Sequence, residues 1–198
     1  MLKLSLPLNK NAVLVPAIIF LIALVFYFLP ASVENILIYD RSDISNGEFW
    51  RLLTGHLLHT NFNHLLLNLA GLTMLWALHG DHYTPKSYLL AFISSLVICS
   101  LGIYYFDPEM ERYVGLSGVL HGIFVWGAIL DIKKGWNSGY LLLLGVIAKV
   151  AYEQIFGASA DVEALINASV AIDAHLWGTV GGLTFPATQW LIKRVRST

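Results

Sequence analysis

Charge is scarce in this chain. Its 198 residues include 12 Lys and Arg and 13 Asp and Glu, 13% in all, against about 25% in an ordinary soluble protein. The formal net charge is −1 and no basic tract is present, so the electrostatic footprint of a nucleic-acid binder is missing. Cysteine is nearly absent too. Cys99 is the only one, which excludes an intramolecular disulfide and a thiolate metal site. There is no low-complexity tract, no repeat and no sustained apolar–polar alternation, so solenoids and membrane β-barrels are excluded.

What the chain does have is apolar residues, 57% of the composition with a mean hydropathy of +0.66. They gather in six runs, at about 11–32, 64–78, 87–106, 117–130, 139–156 and 175–192. A hydrocarbon core about 30 Å thick needs about 20 helical residues. The sequence therefore predicts an all-α polytopic membrane protein, one domain over 1–198 with six spans. The second and fourth runs are short, which suits helices whose outer ends are recessed in a water-filled bundle. Lys3 and Lys10 precede the first run and Ala31-Ser32 offers a cleavage point, so a signal peptide competes with a retained span. Signal cores run about 7–15 residues, shorter than this one, which favours the span.

Basic residues set the orientation. With the N-terminus inside, Lys3, Lys10, Lys86, Lys133, Lys134, Lys193, Arg194 and Arg196 fall on the cytoplasmic side, and Arg41, Arg51 and Arg112 on the other. That bias follows the positive-inside rule and predicts both termini in the cytoplasm. Spans two, four and six then run inwards, so their first polar residues, His64, Ser117 and His175, share an outer depth. Asn68 lies one turn below His64 on the same face. Two long outer segments flank this level. Residues 31–63 carry an amphipathic pattern, with Phe49, Trp50, Leu53, Leu57 and Leu58 among Arg51, Thr54 and His56, expected to lie in the interface. Residues 157–174 lead directly into His175.

Ser117 stands in Gly115-Leu116-Ser117-Gly118-Val119-Leu120-His121-Gly122. Small neighbours fit either close helix packing or a nucleophile near helix N–H groups that stabilise an oxyanion. His175 is either a base or a ring bonded to a loop carbonyl. Gly118 and Gly122 on the fourth span, and Gly178 and Gly182 on the sixth, would let those helices touch closely enough for a Ser–His hydrogen bond. His64 and Asn68 are oxyanion donors or an interhelical clasp. His121, four residues past Ser117, is an alternative base or a partner for a neighbouring helix. His56 and His59 lack an acidic third ligand and a zincin pattern, so no metal site is expected. Lys149 and Glu153 sit four apart inside the fifth span; mutual neutralisation is the simpler reading of this intramembrane pair.

Taken together, Gly-Leu-Ser117-Gly, Ala-His175-x-x-Gly-x-x-x-Gly, His64-x-x-x-Asn68 and Trp50-Arg51 resemble the rhomboid intramembrane serine proteases, over about residues 48–182. The compact six-span form, with His121 in its octapeptide and Asp173-Ala174-His175-Leu176, is similar to the rhombosortase subgroup. The resemblance implies a Ser117–His175 dyad with no acidic third member, oxyanion donors His64, Asn68 and the Ser117 N–H, and no cofactor. Asp173 is not promoted, because side chains at i and i+2 diverge on a helix. Trp50-Arg51 would stabilise the first outer loop, and the fifth span with residues 157–174 would form a lateral gate and cap. Implied partners are membrane lipid and exported bacterial proteins whose C-terminal tail carries a Gly-rich segment before a hydrophobic anchor. The implied location is the bacterial inner membrane, with the site facing the periplasm. The alternative from another class is an inactive rhomboid-like protein that binds transmembrane helices.

Overall fold

The computed structural model describes residues 6–196, and 77% of the chain is helical. Lys3, one of the orienting residues, lies outside the described residues. Six long helices run at α1 (Lys10–Tyr27), α5 (Phe62–His79), α6 (Pro85–Phe106), α7 (Ser117–Lys133), α8 (Ser138–Phe156) and α10 (Ile172–Arg196). Short helices α2 (Ala31–Leu37), α3 (Arg41–Ser45) and α4 (Arg51–Thr54) occupy the first long connection, and α9 (Ala160–Ile166) the last.

The helix starts are chemically marked. The Asn9, Asn61 and Thr84 side chains accept from N–H groups in the first turns of α1, α5 and α6, satisfying donors that have no intrahelical partner. α1 ends at Tyr27, short of the expected residue 32. Pro30 disfavours helix at the residue before it and starts α2 instead. By length and hydropathy, α1, α6 and α8 suffice to cross a membrane. In α5 and α7, the apolar runs are interrupted by the glycines, His and Asn that build the interior.

At the centre stands α7, packed against α5, α6, α8 and α10. The main core joins Leu72 and Leu75 of α5 and Phe92 and Leu96 of α6 to Val119, Ile123 and Trp126 of α7. Between α7 and α10 there is almost no side-chain layer. A Cβ on Gly178 would overlap the Gly118 carbonyl, one on Gly182 would overlap the Gly122 backbone, and one on Gly118 would come within 2.7 Å of the Ala174 carbonyl. Glycine is required at this crossing because backbone faces backbone.

The segment before α7 is tied to the first long connection. β1 (Tyr39–Asp40) and β2 (Arg112–Tyr113) pair antiparallel, Tyr39 opposite Tyr113 and Asp40 opposite Arg112. Arg51 organises the connection beneath them. Its guanidinium donates to the carbonyls of Asn35 (2.7 Å) and Ile38 (2.9 Å) and pairs with Glu48 and Asp43. Arg41 closes the C-terminus of α6, donating to the Tyr104 (2.8 Å) and Ile103 (3.0 Å) carbonyls. Residues 49–58 are amphipathic in the fold. Phe49, Trp50 and Leu53 face outwards while Arg51 and His56 are buried, because the loop backbone inside needs donors more than lipid needs polar groups.

At the opposite end of the bundle, Asp131 of α7 accepts from His82 (2.7 Å) and lies 3.3 Å from His79. The carboxylate and His79 are both buried, so the cluster clasps α7 to the α5–α6 turn. Lys86, Lys133 and Lys134 lie on the helix ends and turns at this level, away from Arg41, Arg51 and Arg112.

Replacing Gly182 with Leu, or Gly178 with Val, is expected to push α10 off α7 and cost about 1–3 kcal/mol. Thermal unfolding in detergent micelles checks this. Gly145→Ala on exposed α8, where a Cβ meets nothing within 4 Å, should leave the midpoint nearly unchanged.

Candidate active site

Three helix starts meet at the end of the bundle near the β-ladder. Ser117 is the first residue of α7, His175 lies in the first turn of α10 and His64 in the first turn of α5. Gly115 precedes Ser117 with φ +129°, in a region that side chains rarely adopt. Its N–H donates to the Gly55 carbonyl (3.2 Å), and its own carbonyl accepts from the Tyr113 hydroxyl (2.5 Å). The approach to the serine is therefore fixed before the helix begins.

Ser117 Oγ lies 2.9 Å from His175 Nε2. On its other side, His175 Nδ1 lies 2.9 Å from Glu153 Oε2 of α8. A carboxylate only accepts, so Nδ1 carries the proton and Nε2 is left to accept from the serine hydroxyl. Lys149 donates to the same Glu153 oxygen (2.8 Å) and to His121 Nε2 (2.8 Å). His121 Nδ1 donates to the Ser117 carbonyl (2.7 Å), and its ring stacks on that of His175, centroids 4.1 Å apart and planes at 22°. Both His121 nitrogens are thus engaged away from Ser117 Oγ, and the ring acts as a wall.

His64 and Asn68 reach the serine from α5. The Thr60 N–H (3.4 Å) and hydroxyl (3.1 Å) both lie against His64 Nδ1, on the side of the ring away from Nε2. That nitrogen faces Gly115, where a Cβ would come within 2.8 Å of it. Asn68 Nδ2 is buried and has no hydrogen-bond partner among the described residues, and Asn68 lines a cavity together with Ser117. Two cavities open on Ser117. One of about 260 Å³ is lined by Thr60, His64, Tyr113 and Ile166; the other, about 200 Å³, by Asn68, Gly71, Leu120 and Phe124. A third, of about 300 Å³, reaches His175 and Glu153 beneath Gly157, Val162 and Val170.

Ser117, His175, His64 and Asn68 are therefore brought together, and His121 lies beside them in a different attitude from an alternative base. Asp173 turns away to accept from Gln154 (3.0 Å). His56 is spent on Ser100 (2.7 Å), and His59 packs edge-on against His64. Burial holds both rings neutral, pushing His56 down to about 4 and His59, with help from His64, to about 3. His121, Glu153 and His175 offer metal-ligand atoms within 4.8 Å of one another, but the Lys149 ammonium already stands against all three.

Sequence reasoning missed the reach of Glu153 and Lys149. The signal was present, since a span running outwards from residue 139 to 156 brings Glu153 near its outer end, at the depth of His175.

The rhomboid domain profile matches residues 46–191, nearly three quarters of the chain, and the chain belongs to the rhomboid family of intramembrane proteases. Among curated relatives it is 31% identical over 181 residues to the Bacillus subtilis (strain 168) protein named "Putative rhomboid protease YdcA", covering 85% of this chain and 86% of that one. It is 26% identical over 156 residues to rhomboid protease GluP of the same organism, covering 78% of this chain but 29% of that longer protein.

Gly115→Ala is expected to displace the His64 ring and strain the backbone at φ +129°. A crystal structure of the variant should show His64 moved from Gly115, and its unfolding midpoint should fall by several degrees.

Proposed function

We propose that this rhomboid protein is a serine endopeptidase in which Ser117 is the nucleophile and His175 the general base. The observation that carries the proposal is the 2.9 Å contact between Ser117 Oγ and His175 Nε2, within the reach that activation of a hydroxyl demands. His175 takes the serine proton as Oγ attacks the scissile carbonyl. The tetrahedral oxyanion is held by His64, the Asn68 amide and the Ser117 N–H, which are uncharged donors aimed at charge that develops only in the transition state. His175 then protonates the leaving amine, and water reaching the acyl-enzyme through the outer cavities restores the serine.

The six long helices form a single domain over 1–198 and all span the membrane, with both termini in the cytoplasm. Support comes from the segregation of Lys86, Lys133 and Lys134 at one end and Arg41, Arg51 and Arg112 at the other. Catalysis takes place near the outer face, which is periplasmic if the membrane is a bacterial inner membrane. Substrates are single-span proteins that enter laterally and unwind at small residues, since a helical bond hides its carbonyl. The likeness to rhombosortases supports exported proteins with Gly-rich C-terminal anchor tails as the natural class, with cleavage releasing the anchor. His121 walls the base and does not replace it.

Ser117→Ala and His175→Ala should each reduce cleavage of a co-expressed Gly-rich tailed substrate by at least about 10³-fold, with unfolding midpoints near that of the wild type. Mass spectrometry of the released C-terminus reads the cut. Normal turnover by Ser117→Ala would sink the protease reading in favour of a helix binder. An active His175→Ala beside a dead His121→Ala would reverse the base assignment.

A further inference from the structure

A base that works through Nε2 needs its other nitrogen held, and this bundle supplies the holder from a helix that carries neither Ser117 nor His175. Glu153 is buried, although α8 is the least enclosed of the three apolar long helices, with 17% of its apolar window buried against 28% for α1 and 44% for α6. Its Oε2 is shared between His175 Nδ1 (2.9 Å) and Lys149 Nζ (2.8 Å). Lys149 offsets the desolvation of this carboxylate, but a neutralising pair alone does not require the shared oxygen to face His175 Nδ1.

The protons close into one consistent chain. Ser117 Oγ–H donates to His175 Nε2, His175 Nδ1–H to Glu153, Lys149 to Glu153 and to His121 Nε2, and His121 Nδ1–H to the Ser117 carbonyl. One contact in this ring sets two donors side by side, Lys149 Nζ and His175 Nδ1. They lie 3.2 Å apart, and both serve the same carboxylate oxygen. The remaining charged or titratable groups around it are accounted for. His64 of α5 faces the opposite side of the serine, and Asp173 is bound by Gln154.

We propose that Glu153 is a positioning residue for His175, fixing the imidazole in the Nδ1–H form with Nε2 aimed at Ser117, while Lys149 neutralises the carboxylate at rest. The site is then a Ser117–His175 pair oriented by Glu153 and not a bare dyad. When the serine proton moves to Nε2, the imidazolium forms against a carboxylate already in place. Glu153 stays ionised throughout and gives up no proton. Lys149 makes this affordable by keeping the resting pair neutral and by tying His121 into its wall position. This inference rests on the proposed Ser117–His175 chemistry.

The test joins kinetics to a spectroscopic readout that needs no substrate. Purified protein in detergent is assayed on a Gly-rich single-span reporter as wild type, Glu153→Ala, Glu153→Gln and Glu153→Asp. Nitrogen-15 spectra of labelled histidine, assigned with His175→Ala, report the His175 tautomer in the wild type, Ser117→Ala and Glu153→Ala. Glu153→Ala should lower kcat by about 10²–10⁴-fold with KM changed less than about threefold, the range seen when a histidine loses its orienting carboxylate. Glu153→Asp should recover at least about tenfold, and the near-isosteric Glu153→Gln should keep the wild-type unfolding midpoint while remaining slow. His175 should be Nδ1–H in the wild type and Ser117→Ala, and a tautomer mixture in Glu153→Ala. A Glu153→Ala enzyme within threefold of wild-type kcat, or a His175 spectrum unmoved by the substitution, overturns the proposal. If the wild type cuts nothing, the protease reading fails, and the His175 spectrum still decides whether Glu153 sets its tautomer.

Discussion

The contact between the backbones of α7 and α10 governs the rest of the molecule. Gly118 meets Gly178 and Gly122 meets Gly182 with no side chain between them. Any Cβ there would widen the crossing and move His175 away from Ser117 by more than a hydrogen bond tolerates. Van der Waals packing, not the hydrophobic effect, is what holds helices together in lipid. The tightest backbone contact in the bundle therefore lies where the shortest functional distance is needed.

Around that crossing, the buried charged groups are partnered. Arg51 and Arg41 serve loop and helix-end carbonyls, Asp131 serves two histidines at the far end, and the Lys149–Glu153 pair serves two histidines near the serine. Asn68 Nδ2 is one of several buried side-chain atoms with no hydrogen-bond partner among the described residues, together with both His59 nitrogens and the Thr179 hydroxyl. An unpartnered donor costs about 1–3 kcal/mol. Under the proposed chemistry, that cost is recovered at Asn68 only in the transition state. The first outer connection belongs to the same logic. Its β-ladder and the Gly55–Gly115 bond hold the backbone on which Ser117 is presented.

Much of this was legible beforehand, and for identifiable reasons. Apolar runs and their lengths located the helices, because a lipid-facing helix must be apolar for about 20 residues. The charge segregation and the helical rise then put His64, Ser117 and His175 at one depth, and glycines at i, i+4 marked the faces that meet. The first helix ended early because Pro30 restricts its neighbour, a local effect the hydropathy pattern outweighed. The amphipathic loop was legible as such, but not which of its side chains would serve buried backbone. Periodicity reports that two faces differ; it does not report which of them meets buried backbone carbonyls.

Alone, the sequence determined a nearly all-helical membrane chain, the residues proposed for the chemistry and the depth they share. Those follow from one-dimensional quantities: hydropathy, spacing and charge. The tertiary structure decided which polar groups touch. It turned Lys149 and Glu153 from a self-contained pair into partners of His121 and His175, turned His121 away from the hydroxyl and left the Asn68 amide free. Contacts between helices depend on rotation about each helix axis, and that rotation is set by packing against all neighbours at once.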